Sequence, residues 1–520
     1  MAISRQAGRG AAQVFVVAML VGAGCGSRGN GTTDGSGSGG TSTAAGGAAG
    51  AITGSGGNAA GAGGATSGGD GGLGGAPLGT GGSSSGTGGV TTGSGGAGPG
   101  QPDGSTDSDG SVDHVTCSTP TSISGVVYDP AGIRPIYNAF VYAPTKPLDP
   151  ITPGVSCDRC ATTLSGAPAA MARTDATGHF KLEGLPAGTN IPVVIQIGKW
   201  RREIMIPSVA ECADTPITDV NLTRLPRNQS EGHLPKIAVT TGDADALECF
   251  IHKLGISDSE FTTDNGGGRV NLFVGGEPVA GGAGQGAASF APTFGSVGST
   301  TFPFAGTSLW NDPTKLATYD MMLLSCEGSQ YADVKFPLTA NIKAFADAGG
   351  RIIVGHLQYY WLRSGPAPWP STATYLNPGA TLPDPTSATV STTFPRGAAL
   401  ADWLVATGAT PTRGSLQLFG TESSVAAVAS PTLAWLVVSD PQPTMPKLLT
   451  FDTPVEPTAP NQCGRVGFVD FHVKNTVSTQ NGKDTSNPAV PFPMGCKSTI
   501  LTPQEQALEF MLFDVGACIQ

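Results

Sequence analysis

The sequence predicts a multidomain chain: a disordered glycine-rich tether, a small β domain, then an α/β domain on a doubly wound, mostly parallel sheet. Three observations lead there. Of the 77 glycines, 35 fall within residues 26–112, a stretch with no aromatic residue. From Ser122, short alternating apolar runs are broken by turn residues. Beyond Pro235 the hydrophobic period switches, and strand-like runs alternate with helix-like ones.

Residues 1–25 read MAISRQAGRGAAQVFVVAMLVGAGC. Arg5 and Arg9 give a positive start, and Ala11 to Gly24 is an apolar stretch too short for a comfortable membrane span. This predicts a secretory signal. Gly22, Ala23 and Gly24 before Cys25 resemble a bacterial lipobox, although Gly22 stands where the usual Leu would be. The resemblance implies a lipidated Cys25 and a membrane partner through that anchor. Gly26 follows in place of the Asp that retains lipoproteins at the inner membrane, so the implied address is the outer membrane or cell surface. An ordinary signal cleaved nearby is the alternative.

Residues 26–112 carry six charges: Arg28 against Asp34, Asp70, Asp103, Asp107 and Asp109. Such a segment cannot bury enough apolar surface to offset the entropy of ordering its backbone. A flexible leash of this length has a typical end-to-end distance of roughly 50 Å. The whole chain has a formal charge of −11, with +2 from residues 1–25 and −4 from the tether, which leaves −9 for residues 113–520. The longest basic cluster is Lys199, Arg201 and Arg202. Phosphate neutralisation needs concentrated positive charge, so nucleic acid is excluded as a partner.

Beyond Cys25 nine cysteines remain, an odd number, so at least one lies outside any internal bridge. In an exported chain the default for the rest is disulfides. Cys157 and Cys160 form a CxxC in a Pro-rich loop with no second such motif, so a structural bridge is preferred over a redox or zinc knuckle. Cys463 and Cys496 flank a strand and a polar loop; pairing them would stabilise that loop by roughly 3–4 kcal/mol.

The small β domain, residues 113–228, begins with ISGVVYDPAG and NAFVYAP as strands. ARTDATGHFKLEGLPAG, IPVVIQIGKW and REIMIP follow, separated by Gly- and Pro-containing turns. Gly125, Val126, Asp129, Ala139 and Val141, then Thr174, Asp175, Gly178, Phe180, Leu185, Pro186 and Gly188, resemble the carboxypeptidase regulatory-like family. That resemblance covers about 117–225. It implies a seven-stranded β-sandwich acting as an accessory spacer, stalk or weak ligand binder. A long insertion from Thr145 to Met171, which carries the CxxC, departs from the family. Lys199, Trp200 and Arg201 offer a ligand patch, with an edge-strand solubility device as the blander reading.

In residues 235–520, KIAVTTG, RVNLFVGG, YDMMLLSC, RIIVGHLQ, KLLTFDTPV and GRVGFVDFHV read as strands. DADALECFIHKLG, LTANIKAFADAGG and GAALADWLVATGA read as helices between them. The last element, TPQEQALEFMLFDVGAC, is a helix with Thr502 at its N-cap, Pro503 at its first position and Glu505 completing a capping box. This alternation implies a mostly parallel sheet. The order YDMMLLSC, AFADAGGRIIVGH, GRVGFVDFHV resembles the class I glutamine amidotransferase-like fold, especially its ThuA-like branch. Amidotransferase members carry a nucleophilic cysteine on the turn after the strand matching RIIVG. This chain has Gly355 and His356 there, which disfavours glutamine amidotransfer, and Cys326 belongs to a different strand end.

His356 sits at the carboxyl end of a strand, where open α/β sheets place ligands; a histidine hydrogen-bonded inside a loop is the alternative. Strand alternation puts Val466, Phe468, Asp470 and His472 on one face of GRVGFVDFHV, so Asp470 and His472 can enter one cleft. They could act as an acid/base pair or, with His356, as a two-His, one-carboxylate site. A buried structural Asp–His pair competes equally. The sequence leaves both metal and cofactor unknown. Asp243 and Asp245 form a DxD after a strand, for which helix capping by Asp243 is preferred. His252 reads as packing. Tyr359, Tyr360 and Trp361, with Trp369, make an aromatic-rich loop that suits a sugar platform or a lid over the sheet. The Gly-rich loop GGEPVAGGAGQGAAS is not a phosphate loop, because no GK[ST] follows.

Together these readings describe a surface lipoprotein whose sandwich presents a degenerate amidotransferase-like domain for binding. A polysaccharide or another envelope component is the implied ligand. A carbohydrate-acting hydrolase using His356, Asp470 and His472 is the alternative, and a purely structural envelope protein the third class.

Overall fold

Alternating apolar residues fold the first hundred described residues into two small sheets. The computed structural model describes residues 117–160, 164–377, 379–439, 444–455, 461–473 and 483–520. The signal, Cys25 and the tether of the sequence reading lie outside them. Seven strands come first: β1 (Ser122–Val126), β2 (Phe140–Pro144), β3 (Pro168–Arg173), β4 (His179–Glu183), β5 (Gly188–Ile197), β6 (Trp200–Val209) and β7 (Asp214–Ile217). They form a three-stranded sheet in the order β4-β1-β7 and a four-stranded sheet in the order β3-β2-β5-β6. Ile123, Phe180 and Leu182 from one sheet share a core with Val141, Val193, Ile195 and Ile206 from the other, which makes a β-sandwich. The Asp-Ala-Thr-Gly turn is held by Asp175 Oδ1, which accepts from the N–H groups of Thr177 and His179, with Gly178 at φ +74°.

Twelve further strands follow: β8 (Ile237–Thr241), β9 (Phe261–Thr262), β10 (Val270–Val274), β11 (Met321–Leu324), β12 (Arg351–Val354), β13 (Ala373–Tyr375), β14 (Thr386–Val390), β15 (Ser415–Leu418), β16 (Val425–Val428), β17 (Leu433–Val438), β18 (Met445–Thr453) and β19 (Gly464–Val469). Ten of these build one sheet in the order β15-β14-β17-β18-β19-β12-β11-β8-β10-β9. From β19 to β9 every pairing is parallel; from β19 back to β15 every pairing is antiparallel. The antiparallel wing departs from the mostly parallel expectation, since β14, β15 and β17 lie where the sequence reading has no strand. Its other strand, β18, covers Lys447 to Thr453 of the predicted KLLTFDTPV.

Both faces of the parallel part are covered. Ile237, Val239, Leu323 and Ile353 pack with Phe250 and Ile251 of the Leu247–Lys253 helix and Leu508, Leu512 and Val515 of the Pro503–Gly516 helix. Ala238, Met322, Leu324, Ile352 and Val354 pack with Ile342, Phe345 and Ala346 of the Thr339–Asp347 helix. The final helix starts as its sequence requires: Thr502 caps it, Pro503 opens it, and the Thr502 N–H donates to Glu505 at 2.8 Å.

The sandwich and the ten-stranded sheet share that first core, and residues 117–520 group as one compact unit. Tyr137 stacks on Phe510 with ring centroids 5.5 Å apart, and the Trp403 indole N–H donates to the Pro135 carbonyl at 2.7 Å. Four disulfides join Cys117–Cys212, Cys157–Cys463, Cys160–Cys518 and Cys249–Cys496. Two expected bridges are therefore replaced: Cys157 does not close on Cys160, nor Cys463 on Cys496. The physical reason is local. The 158–160 segment lies beside Ile519, with Cys160 N–H donating to Ile519 O and Ile519 N–H to Asp158 O. With this segment held beside Ile519, Cys160 meets the neighbouring Cys518, and Cys157 pairs with Cys463. No helix of the described residues is long and apolar enough to cross a membrane.

Candidate functional site

Register, more than any single motif, assembles the site. Across the parallel strands Thr240, Leu324, Val354 and Phe468 stand abreast. Two residues further along each chain come Gly242, Cys326, His356 and Asp470, at the carboxyl edge of four neighbouring strands. Gly242 has no room for a side chain, because a Cβ there would lie 2.3 Å from the Cys326 carbonyl oxygen. Gly355 is similarly tight, with Asp245 Oδ2 and Cys326 N each 3.0 Å from an added Cβ.

His356 and His472 meet with ring centroids 5.2 Å apart and planes at 89°. Cys326 Sγ lies 3.8 Å from His356 Nδ1. One ligand atom each from Cys326, His356 and His472 falls within 4.8 Å of the other two. All three side chains are buried, at 0%, 6% and 3% exposure respectively. Asp245 binds the group from behind: its Oδ1 lies 3.1 Å from His472 Nδ1 and accepts from the Val473 N–H at 3.0 Å, and its Oδ2 accepts from the Cys326 N–H at 3.3 Å.

Burial disfavours charge on both imidazoles, with opposite outcomes. His356 is pushed down to about 4, burial outweighing the attraction of Asp470. At His472 burial also opposes the charge, yet Asp245, through its charge and its hydrogen bond, raises the pKa above the ordinary value. A neutral histidine therefore sits beside one that holds its proton more firmly.

Asp470 is close but differently engaged. Its Oδ2 accepts from the Ser424 N–H at 2.9 Å and from Lys447 Nζ at 3.0 Å, an ion pair with no exposed surface. Alternation along this strand end holds: Val469, Phe471 and Val473 enter one core, Val466 and Phe468 the other. The expected partnership of His356, Asp470 and His472 changes membership, because Cys326, which the sequence reading set aside, completes the donor trio. Asp470 Oδ1, His472 Nε2, Ser325 Oγ and Ser424 Oγ are buried without a hydrogen-bond partner among the described residues.

Other expected residues fall elsewhere. Tyr359, Tyr360 and Trp361 are buried at 0%, 6% and 1% exposure, so they present no open ring face to a sugar. Their rings fill the core instead: Trp361 meets Trp310 edge-on and its indole N–H donates to Gln358. Asp243 does not cap the following helix, whose N-cap is Ala246 without a side-chain bond. His252 packs against Phe261 and Phe492 and pairs with Asp258. Lys199 is tied to Asp320, and Arg201 bonds Ser165 and the Asp149 carbonyl, so the proposed basic patch is engaged within the fold.

The thiol and two imidazoles can ligate a soft or borderline metal, or relay protons; the carboxylate behind His472 fixes its tautomer for either role. No family model and no curated protein matches the chain. Two solved structures do, both mutants of the type II cohesin–X-dockerin complex from Acetivibrio cellulolyticus. The C-terminal interface mutant is 17% identical with a TM-score of 0.14, covering 28% of this chain and 75% of that one. The N-terminal interface mutant is 16% identical with a TM-score of 0.13 and the same coverage. Likeness at that level carries no argument about this chain.

Proposed function

We propose that this chain is an exported, lipid-anchored protein of the cell envelope that binds an envelope component without transforming it. The observation that carries the reading is the set of four disulfides spanning the described chain, since such bridges persist in oxidising compartments and are rare where thiols are kept reduced. In this reading Cys25 is the lipidated residue and residues 26–112 form the leash. The sandwich serves as an accessory module of the carboxypeptidase regulatory-like kind. The second part is a ThuA-like, doubly wound α/β domain with Gly355 and His356 where amidotransferases carry their nucleophile. Burial of His356, Asp470 and His472, and the Lys447 partner of Asp470, weigh against a hydrolase built on those three.

Fractionation of cells making the full-length chain and its Cys25→Ser variant tests the address. The variant should leave the membrane fraction; unchanged partitioning overturns the anchor. Co-sedimentation with insoluble polysaccharide and with envelope extract tests the role. Binding retained in His356→Ala and His472→Ala, with no released fragments from either ligand, supports a binding protein. Release of soluble sugar by the wild type that both variants lose overturns it.

A further inference from the structure

We infer that Cys326, His356 and His472 form a site for one zinc-class metal ion, with Asp245 positioning His472 from outside the coordination shell. Geometry comes first. With Zn–S near 2.3 Å and Zn–N near 2.0–2.1 Å, a tetrahedral ion separates its sulfur and nitrogen ligands by about 3.5 Å. Cys326 Sγ and His356 Nδ1 are 3.8 Å apart, and the whole trio lies within 4.8 Å. Closing onto an ion therefore needs only small side-chain rotations.

The direction of His472 is the second, independent observation. Its Nδ1 faces Asp245 Oδ1 at 3.1 Å, while Nε2 is buried with no hydrogen-bond partner. A carboxylate behind one imidazole nitrogen and a buried, unpartnered second nitrogen is the arrangement that metal-ligating histidines adopt. Asp245 also accepts the backbone N–H groups of Cys326 and Val473, so one carboxylate locates two of the three ligands.

Donor chemistry selects the metal class. One thiolate and two imidazoles suit zinc and copper, whereas magnesium and calcium prefer all-oxygen sites. A thiolate together with the Asp245 carboxylate balances a divalent ion, which places the site in the zinc class of soft or borderline divalent metals. Three protein ligands leave one tetrahedral position for an exogenous ligand. Because the ligands come from the ends of three adjacent parallel strands, backbone register presets their spacing.

The test uses full-length protein stripped of metal by chelator under denaturing, non-reducing conditions and refolded. Cobalt(II) titration should saturate at one equivalent per chain, with a thiolate-to-cobalt charge-transfer band, and zinc should displace it. Cys326→Ser should lose that band. Asp245→Asn, with its circular dichroism unchanged, should bind zinc about 10–100-fold more weakly. Absence of stoichiometric cobalt binding by the wild type overturns the site, and that measurement needs no variant to fold. An undiminished charge-transfer band in Cys326→Ser also overturns it.

Discussion

Replacing Cys157 and Cys463 together by serine removes one of two bridges tying the sandwich's insertion to the end of the chain. Those two residues are 306 positions apart, but that is not the loop released. With Cys160–Cys518 still closed, the smallest ring runs from 157 to 160, across the second bridge, and back from 518 to 463. This is about 58 residues, and on the chain-entropy model it stabilises the fold by about 4 kcal/mol at 25 °C. On the same formula the bridge treated as if it stood alone gives about 6 kcal/mol, and the local pairings Cys157–Cys160 and Cys463–Cys496, both broken by this double replacement, about 2 and about 4 kcal/mol. Urea unfolding without reductant, followed by tryptophan emission, measures the difference, because all six tryptophans are buried. A loss of about 2 kcal/mol or less refutes the crossed pairing. So does a tryptic map of the wild type in which the peptides on either side of Arg159 remain joined through Cys157 and Cys160, and this map is what separates the two pairings.

Three further outcomes follow from the same contacts. Lys447→Met strands the Asp470 carboxylate in a fully buried setting and should destabilise the fold by about 3–5 kcal/mol, read by urea unfolding. Thr502→Ala removes one half of the capping box and should cost about 1 kcal/mol by the same measurement. Glu248, raised to about 7 by burial against its bond from Ser486, binds its proton more tightly folded than unfolded. Its contribution is present below its ordinary pKa of 4.5 and is lost as pH rises through about 7. Glu248→Gln should therefore gain stability over wild type as pH rises, by up to about 3 kcal/mol. Unfolding curves at several pH values check this, and a constant difference across the range refutes it.

The elements that sequence reading placed well are those whose causes are local. The capping box at Thr502 and the Asp175 turn need only neighbours within four residues, and the capping box forms with its expected partner Glu505. The strands β8, β10, β11, β12, β18 and β19 declare themselves as apolar runs, unlike the two-residue β9. The antiparallel wing does not. Pro383, Pro385 and Pro395 punctuate the stretch around β14, and short alternating runs such as Thr386–Val390 carry little signal of their own. Their stability comes from β17 and β18, which are distant in sequence. Disulfide pairing failed for the same reason, since the partner of Cys160 is the strand-like C-terminus at Ile519, more than 350 residues on.

The candidate site divides along that line. His356 and His472 were legible because each closes an obvious strand with a polar residue, in IIVGH and FVDFH. Cys326 closes LLSC in the same way, two residues beyond Leu324 just as His356 lies two beyond Val354. The signal was present, but its weight depended on knowing that β11 and β12 are neighbours, which no local pattern states. Assigning the nucleophile by resemblance also drew attention to the turn after Val354 and away from the adjacent strand end. Asp245 was the harder case: its acceptors' partners come from 81 to 228 residues away, and a DxD beside a helix start has an adequate local explanation in capping. Capping by Asp243 fails because the helix N-cap is Ala246, and Asp245 Oδ2 and Oδ1 hold the Cys326 and Val473 backbones and His472 Nδ1. The carboxylate thus fixes the spacing between strand ends. Altering it should change the relative placement of the cysteine and the histidine as well as the local charge.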